Sequence, residues 1–131
     1  MKGDRGIIRH KELFRTENDW SDFRYGNITP SDVDFIIEYK NKLFIIGEMK
    51  HGDSEMPRGQ EIALERLVDN IKKPALLFVA SFTDIDQDDE GRIVWTRCFT
   101  SKYRHQGIWY TSKVNTKDLC DRFIKKYGNI S

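Results

Sequence analysis

The run Leu43-Phe44-Ile45-Ile46-Gly47 constrains this chain more than any other five residues. Side chains of a strand alternate between faces, so an unbroken apolar run presents a hydrophobic surface on both sides. Such a strand is stable only where both faces are covered, as in the middle of a sheet with helices above and below. A second stretch rich in β-branched and aromatic residues, Val33 to Tyr39, precedes it, separated only by Lys40-Asn41-Lys42. The pattern predicts two strands, Val33–Tyr39 and Lys42–Met49, joined by a tight turn. With 131 residues the chain has room for one core of this kind, and a single domain over 1–131 is expected.

The remaining elements follow from periodicity and punctuation. Ile7 to Glu17 reads as a charged helix with a narrow stripe of Ile7, Leu13 and Phe14. Asn18 to Pro30 is loop-like, and its Trp20, Phe23 and Tyr25 are expected to pack over the domain edge. Pro57 suits the first position of a helix whose stripe is Ala63, Leu64, Leu67, Val68 and Ile71, ended by Lys72-Lys73-Pro74. Ala75 to Phe82 is a buried strand, and Arg92–Thr100 with Gly107–Thr111 read as a strand pair. Asn115 to Tyr127 is an amphipathic helix capped by Thr116, lined by Leu119, Phe123 and Ile124, and stopped by Gly128. The order α-β-β-α-β-β-β-α predicts an α/β fold, a mixed central sheet flanked by helices.

Composition excludes more than it identifies. Charged residues make up 33% of the chain but the net charge is only +1, so any nucleic-acid binding must come from local charge. No apolar run approaches a membrane span, and Met1 to Gly6 lacks the features of a secretory signal, so a cytoplasmic location is expected. Cys98 and Cys120 lack metal-ligand spacing and read as reduced core residues.

Chemistry concentrates in the hairpin. Glu48 and Lys50 stand two apart and share a strand face. With the turn centred on Asn41, opposed residues sum to 82, which sets Asp34 against Glu48, about 5 Å apart at Cβ. Two carboxylates and an ammonium thus converge at one end, while Ile36, Phe44 and Ile46 keep the rest of that face apolar. Paired carboxylates suit a hard divalent ion, Mg²⁺ or Mn²⁺, with the Met49 carbonyl as a further ligand. Lys50 is then placed to orient water or to stabilise charge on a phosphoryl group. Gln60 falls on the inward stripe of the next helix, three residues before Ala63 and seven before Leu67. A buried amide there needs a partner, and the hairpin end is the nearest. No Ser or Cys stands in a nucleophile arrangement, so a metal is expected to carry the reaction.

These residues carry a resemblance. Thr29-Pro30-Ser31-Asp32-Val33-Asp34, Glu48-Met49-Lys50-His51-Gly52 and Arg58-Gly59-Gln60, followed by Ala63-Leu64-Glu65-Arg66-Leu67, resemble the PD-(D/E)XK nuclease superfamily over about residues 29–82. Small phage and bacterial members are the most similar, with archaeal-type Holliday junction resolvases and VRR-NUC domains as comparable relatives. The resemblance implies a restriction-endonuclease-like α-β-β-β-α-β core and Mg²⁺-dependent hydrolysis of DNA, branched or flapped forms included. It also implies Asp34 and Glu48 as metal ligands, Lys50 as the catalytic lysine and Gln60 as a helix glutamine of the site. An acid on the first helix belongs to the pattern in many members, and Glu12, then Glu17, are the candidates. Pro30 departs from the literal Pro-Asp pairing, standing two before Asp32 and four before Asp34, so Asp32 is a rival ligand. A bacterial or phage-infected cell is the setting implied, and a homodimer is compatible with the family.

Other features weigh less. Asp84 to Gly91 begins like a calcium loop, but Asp89 and Trp95 stand where an EF-hand needs Gly and an acid. His10, His51 and His105 show no ligand spacing, and His51 reads as a surface residue. From Lys102 onward seven basic residues face two acids, with Tyr103, Trp109 and Tyr110 interleaved. That suits either a phosphate backbone with stacked bases or a solvated helix face over core aromatics. Two further classes compete with a nuclease: a non-catalytic nucleic-acid- or protein-binding module on the same fold, and a structural protein in which the triad is an ion pair.

Overall fold

The computed structural model describes residues 19–129. The first helix expected over Ile7–Glu17, and with it Glu12 and Glu17, lies outside them. The chain divides into two units, one ending at Pro30 and one beginning at Ser31. The described part of the first is a loop held by a Tyr25–Ile28 bridge and by Asp19, whose carboxylate accepts from the Ser21 N–H and hydroxyl. Trp20, Phe23 and Tyr25, expected to pack, are exposed.

The second unit is a mixed α/β fold with a five-stranded sheet. Its elements are β1 (Phe35–Tyr39), β2 (Leu43–His51), α1 (Arg58–Asp69), β3 (Ala75–Phe82), β4 (Phe99–His105), β5 (Ile108–Thr111) and α2 (Thr116–Tyr127). Sheet order follows chain order. β1–β2, β3–β4 and β4–β5 are antiparallel, and β2–β3 is parallel through the α1 crossover. Among the described residues two strands, not three, precede the first helix, and no helix is long and apolar enough to cross a membrane.

Coverage of β2 on both faces is as expected. Leu43 and Ile45 join Leu76, Phe78 and Ala80 against Leu119, Cys120 and Phe123 of α2. Ile46 and Leu77 join Leu64 and Val68 of α1 on the other face. Both cysteines are free and buried, and burial pushes the Cys120 thiol up to about 11. The hairpin register matches the sum of 82, from Phe35↔Gly47 to Tyr39↔Leu43. Lys40 and Asn41 both take positive φ at its turn, as Gln106 and Gly107 do between β4 and β5.

Several boundaries depart from expectation, each for a physical reason. β4 is Phe99–His105 rather than Arg92–Thr100. Trp95–Arg97 forms a 3₁₀ turn instead, because Trp95 stacks on Phe35 (centroids 4.9 Å apart) and meets Phe78 edge-on. α1 ends at Asp69, and Pro57 is its N-cap rather than its first residue. Of its expected stripe, Ala63 and Leu67 face outward, while Leu64 and Val68 are buried. Asn115, not Thr116, caps α2 by accepting from the Asp118 N–H; Thr116 is buried and shares a hydrogen bond with Thr100. Gly128 follows α2 with negative φ, and Asn129 takes the left-handed conformation.

Gly47 lets the sheet close around Phe78. The two are neighbours across β2–β3, and the Phe78 ring lies over the Gly47 Cα, where an added Cβ would stand 2.2 Å from its Cζ. The ring is fully buried and meets Phe35 edge-on at 5.2 Å, so it has nowhere to retreat. Gly47→Ala is expected to destabilise the protein by about 3 kcal/mol in urea denaturation, with partial recovery in Gly47→Ala/Phe78→Leu. A Gly47→Ala variant within about 0.5 kcal/mol of wild type would refute this packing.

Candidate active site

Glu48 lies near the carboxyl end of β2, where β2 and β3 run parallel, the kind of position where ligands approach in α/β sheets. Its side chain is 2% exposed. A carboxylate so enclosed needs donors, and two reach it: the Asp34 backbone N–H at 2.9 Å on Oε2 and Gln60 Nε2 at 2.9 Å on Oε1. Asp34 immediately precedes β1, and its own Oδ2 accepts from the Met49 N–H at 3.0 Å. The two acids are therefore tied reciprocally across the end of the hairpin, each through the other strand's backbone.

Burial raises the Glu48 pKa above its ordinary value. The Asp34 N–H draws it back, the negative charges of Asp34 and Asp32 push it up, and the Lys50 ammonium lowers it. Among the described residues neither the Asp34 nor the Glu48 carboxylate forms an ion pair. Nor do any three carboxylate, imidazole or thiol groups there gather to enclose a cation. Two hard oxygen donors without an ion pair among the described residues could hold a divalent ion that takes its other ligands from a backbone carbonyl, water or substrate.

Gln60 reaches Glu48 from the first turn of α1, as its spacing implied, but its companion on the inner face is Leu64 rather than Ala63 or Leu67. Lys50 pairs with Ser81 on the parallel neighbour and opens into a cavity of about 670 Å³ between α1, the β3–β5 surface and the loop after β2. His51 does not join them; one residue further along the strand, it packs on Phe82, at 5.0 Å between centroids.

A second charged array on the α1 side of the sheet went unread in the sequence. Glu61, Glu65 and Asp69 recur every four residues on α1, and each meets β4 or β5. Glu61 pairs with Lys102, Glu65 accepts from the Trp109 indole N–H at 2.6 Å, and Asp69 takes two bonds from Arg104 at 2.9 and 2.7 Å. The Glu61 and Asp69 carboxyls are held below their usual range, chiefly by hydrogen bonds from Lys102 and Arg104. Lys102 and Arg104 are thus each paired with an acid of α1, and Trp109 is no free stacking platform. Tyr103 and Tyr110 stack on each other at 5.3 Å. The signal was present as a helical i, i+4, i+8 acid row matched to a strand i, i+2 basic row.

Comparison with family models, with curated proteins and with solved structures finds no match to this chain.

The Glu48 environment carries its own test. A carboxyl whose folded pKa lies above the unfolded value favours the folded state below the unfolded pKa, and that stability is lost as pH rises through the folded pKa. Glu48→Gln abolishes this titration and keeps the network: the new amide oxygen accepts from Asp34 N–H, and a rotated Gln60 amide accepts from its nitrogen. In EDTA the variant should melt above wild type at about pH 7, with the gap closing towards about pH 4, near and below the ordinary value of 4.5. A variant that melts lower at neutral pH would show that the charged form is the favoured one.

Proposed function

We propose that this chain is a divalent-metal-dependent nuclease of the PD-(D/E)XK kind that hydrolyses phosphodiester bonds in DNA, branched or flapped forms included. One observation carries the reading: two carboxylates, one of them almost wholly enclosed, are locked together without an ion-pairing cation among the described residues, beside a lysine that opens into a cavity. A folded protein has little reason to bury such a charge deficit unless a cation completes it. The hairpin register and the inward glutamine of α1 support the same assignment. The restriction-endonuclease-like core belongs to this proposal too, resting on the parallel β2–α1–β3 unit and the hairpin that precedes it.

On this reading Asp34 and Glu48 would hold Mg²⁺ or Mn²⁺, with the Met49 carbonyl as a third ligand and Asp32 as the rival to Asp34. The chemistry such an ion would supply is Lewis-acid polarisation of the phosphate and a lowered pKa of water. Gln60 fixes the Glu48 rotamer by its bond to Oε1. The Asp34 carboxylate is oriented by the Met49 N–H in the same way. Lys50 presents a positive charge to the phosphoryl oxygens as negative charge builds on them.

A second reading has a specific observation behind it. Each Glu48 oxygen already accepts a protein hydrogen bond, so the group also works as a polar staple of a non-catalytic binding module. Lys50→Ala separates the two. With Mg²⁺ or Mn²⁺ and linear, flapped and four-way DNA, the nuclease reading expects kcat to fall by roughly two to three orders of magnitude while metal and DNA binding persist. Asp34→Asn should abolish cleavage. Wild-type cleavage rates in Lys50→Ala would remove that lysine from the mechanism, and failure of the native protein to cleave any of the three substrates with either metal would leave the staple.

A further inference from the structure

The cavity beside Lys50 holds two more cations, and we infer that Lys102 and Arg58 form a second phosphate contact for the substrate strand, an inference that rests on the nuclease reading above. Sheet register places Lys102 here. Its neighbour on β3 is Val79, which in turn adjoins Glu48, so Lys102 stands two strands from the acid on the same sheet face. Arg58 enters from the first turn of α1, and both side chains line the cavity together with Lys50.

Glu61 sets the geometry. One of its oxygens pairs with Lys102 and the other with Arg58, whose guanidinium also reaches Glu65 at 3.4 Å. Exposure shows which of these groups meet solvent: the Glu61 and Glu65 side chains are 13% and 16% exposed, against 36% for Lys102 and 67% for Arg58. The acid is enclosed and the cations project outward. Lys102 is also fixed over the Trp109 ring at 4.4 Å, so little rotamer freedom is lost when an anion arrives. Hydroxyls of Ser81 and Thr111 line the same space, and neutral donors of this kind commonly bind phosphate oxygens. The cavity's other acids, Asp53 and Glu55, are exposed to water, which screens them.

The competing role is a strap between α1 and β4, and the fold supplies its own control. Arg104–Asp69 straps the same helix to the same strand but does not line this cavity. A strap-only Lys102 should behave as Arg104 does.

The experiment measures anisotropy of fluorescein-labelled flapped and blunt DNA in EDTA over a salt series, with the full chain, alongside melting of each variant. Lys102→Gln and Arg58→Gln should each weaken binding roughly three- to tenfold near 0.1 M salt and lower the salt slope by about one unit. Lys102→Arg should restore both. Arg104→Gln should lower the melting temperature and leave the slope unchanged. Arg58, on the more exposed side, keeps the test open if Lys102→Gln fails to fold. Wild-type slopes in Lys102→Gln and Arg58→Gln, equal losses in all three Gln variants, or no DNA binding by the native protein would each overturn the inference. Slopes as expected from a protein that cleaves nothing with Mg²⁺ or Mn²⁺ would sink the nuclease reading and leave the phosphate contact standing.

Discussion

Enclosing a carboxylate in a strand covered on both faces costs several kcal/mol unless donors or a cation meet it. Glu48 is enclosed in that way, and the arrangement around it follows from how the demand is met. Asp34 supplies a backbone N–H, which holds the residue ahead of β1 against the end of β2. Gln60 supplies an amide, which fixes the first turn of α1 over the same point. The hydrogen bonds satisfy the oxygens but do not neutralise the charge, and the nearby acids add to it. On the proposed function, a bound cation would offset the cost of keeping the enclosed Glu48 ionised.

The α1 side of the sheet carries a second electrostatic system with a different logic. Glu61, Glu65 and Asp69 lie at helical spacing opposite Lys102, Trp109 and Arg104 at strand spacing. Exposed pairs of this kind contribute little singly, but a half-buried ladder orients a helix on a sheet. Ala63 and Leu67 of the same helix face outward. Where the ladder meets the hairpin, at Glu61, its charges line the cavity into which Lys50 opens. The helix is thereby docked by charge at one end of the site and by Leu64 and Val68 further along.

Legibility in the sequence followed the range of the forces involved. The hairpin could be read because its turn, its alternation and its register are all local, and a sum of 82 brought Asp34 to Glu48 before any coordinates. The fourth strand could not. Phe99 is exposed, Thr100 is a buried polar residue bonded to Thr116, and Lys102 and Arg104 are satisfied by acids 41 and 35 residues away. No window around β4 contains those partners, so the expected strand takes in Trp95 and stops at Thr100, short of Ser101–His105. Gln60 was placed correctly on a stripe drawn too wide, because Ala63 and Leu67 are apolar too, and the partners that turn Leu64 and Val68 inward lie on other elements.

By itself the sequence determined a doubly covered strand, the hairpin before it, a helix and a second buried strand after it, and two acids, a lysine and a glutamine at one end of that unit. Those are consequences of period, turn chemistry and hydrophobicity, which act over a few residues. Only the tertiary structure decided that Glu48 is almost wholly enclosed and still ionically uncompensated among the described residues, which face of α1 is inner, and that Arg58 and Lys102 share a cavity with Lys50. Burial depth and charge balance depend on every element packed around a point, and no local window of residues contains that information.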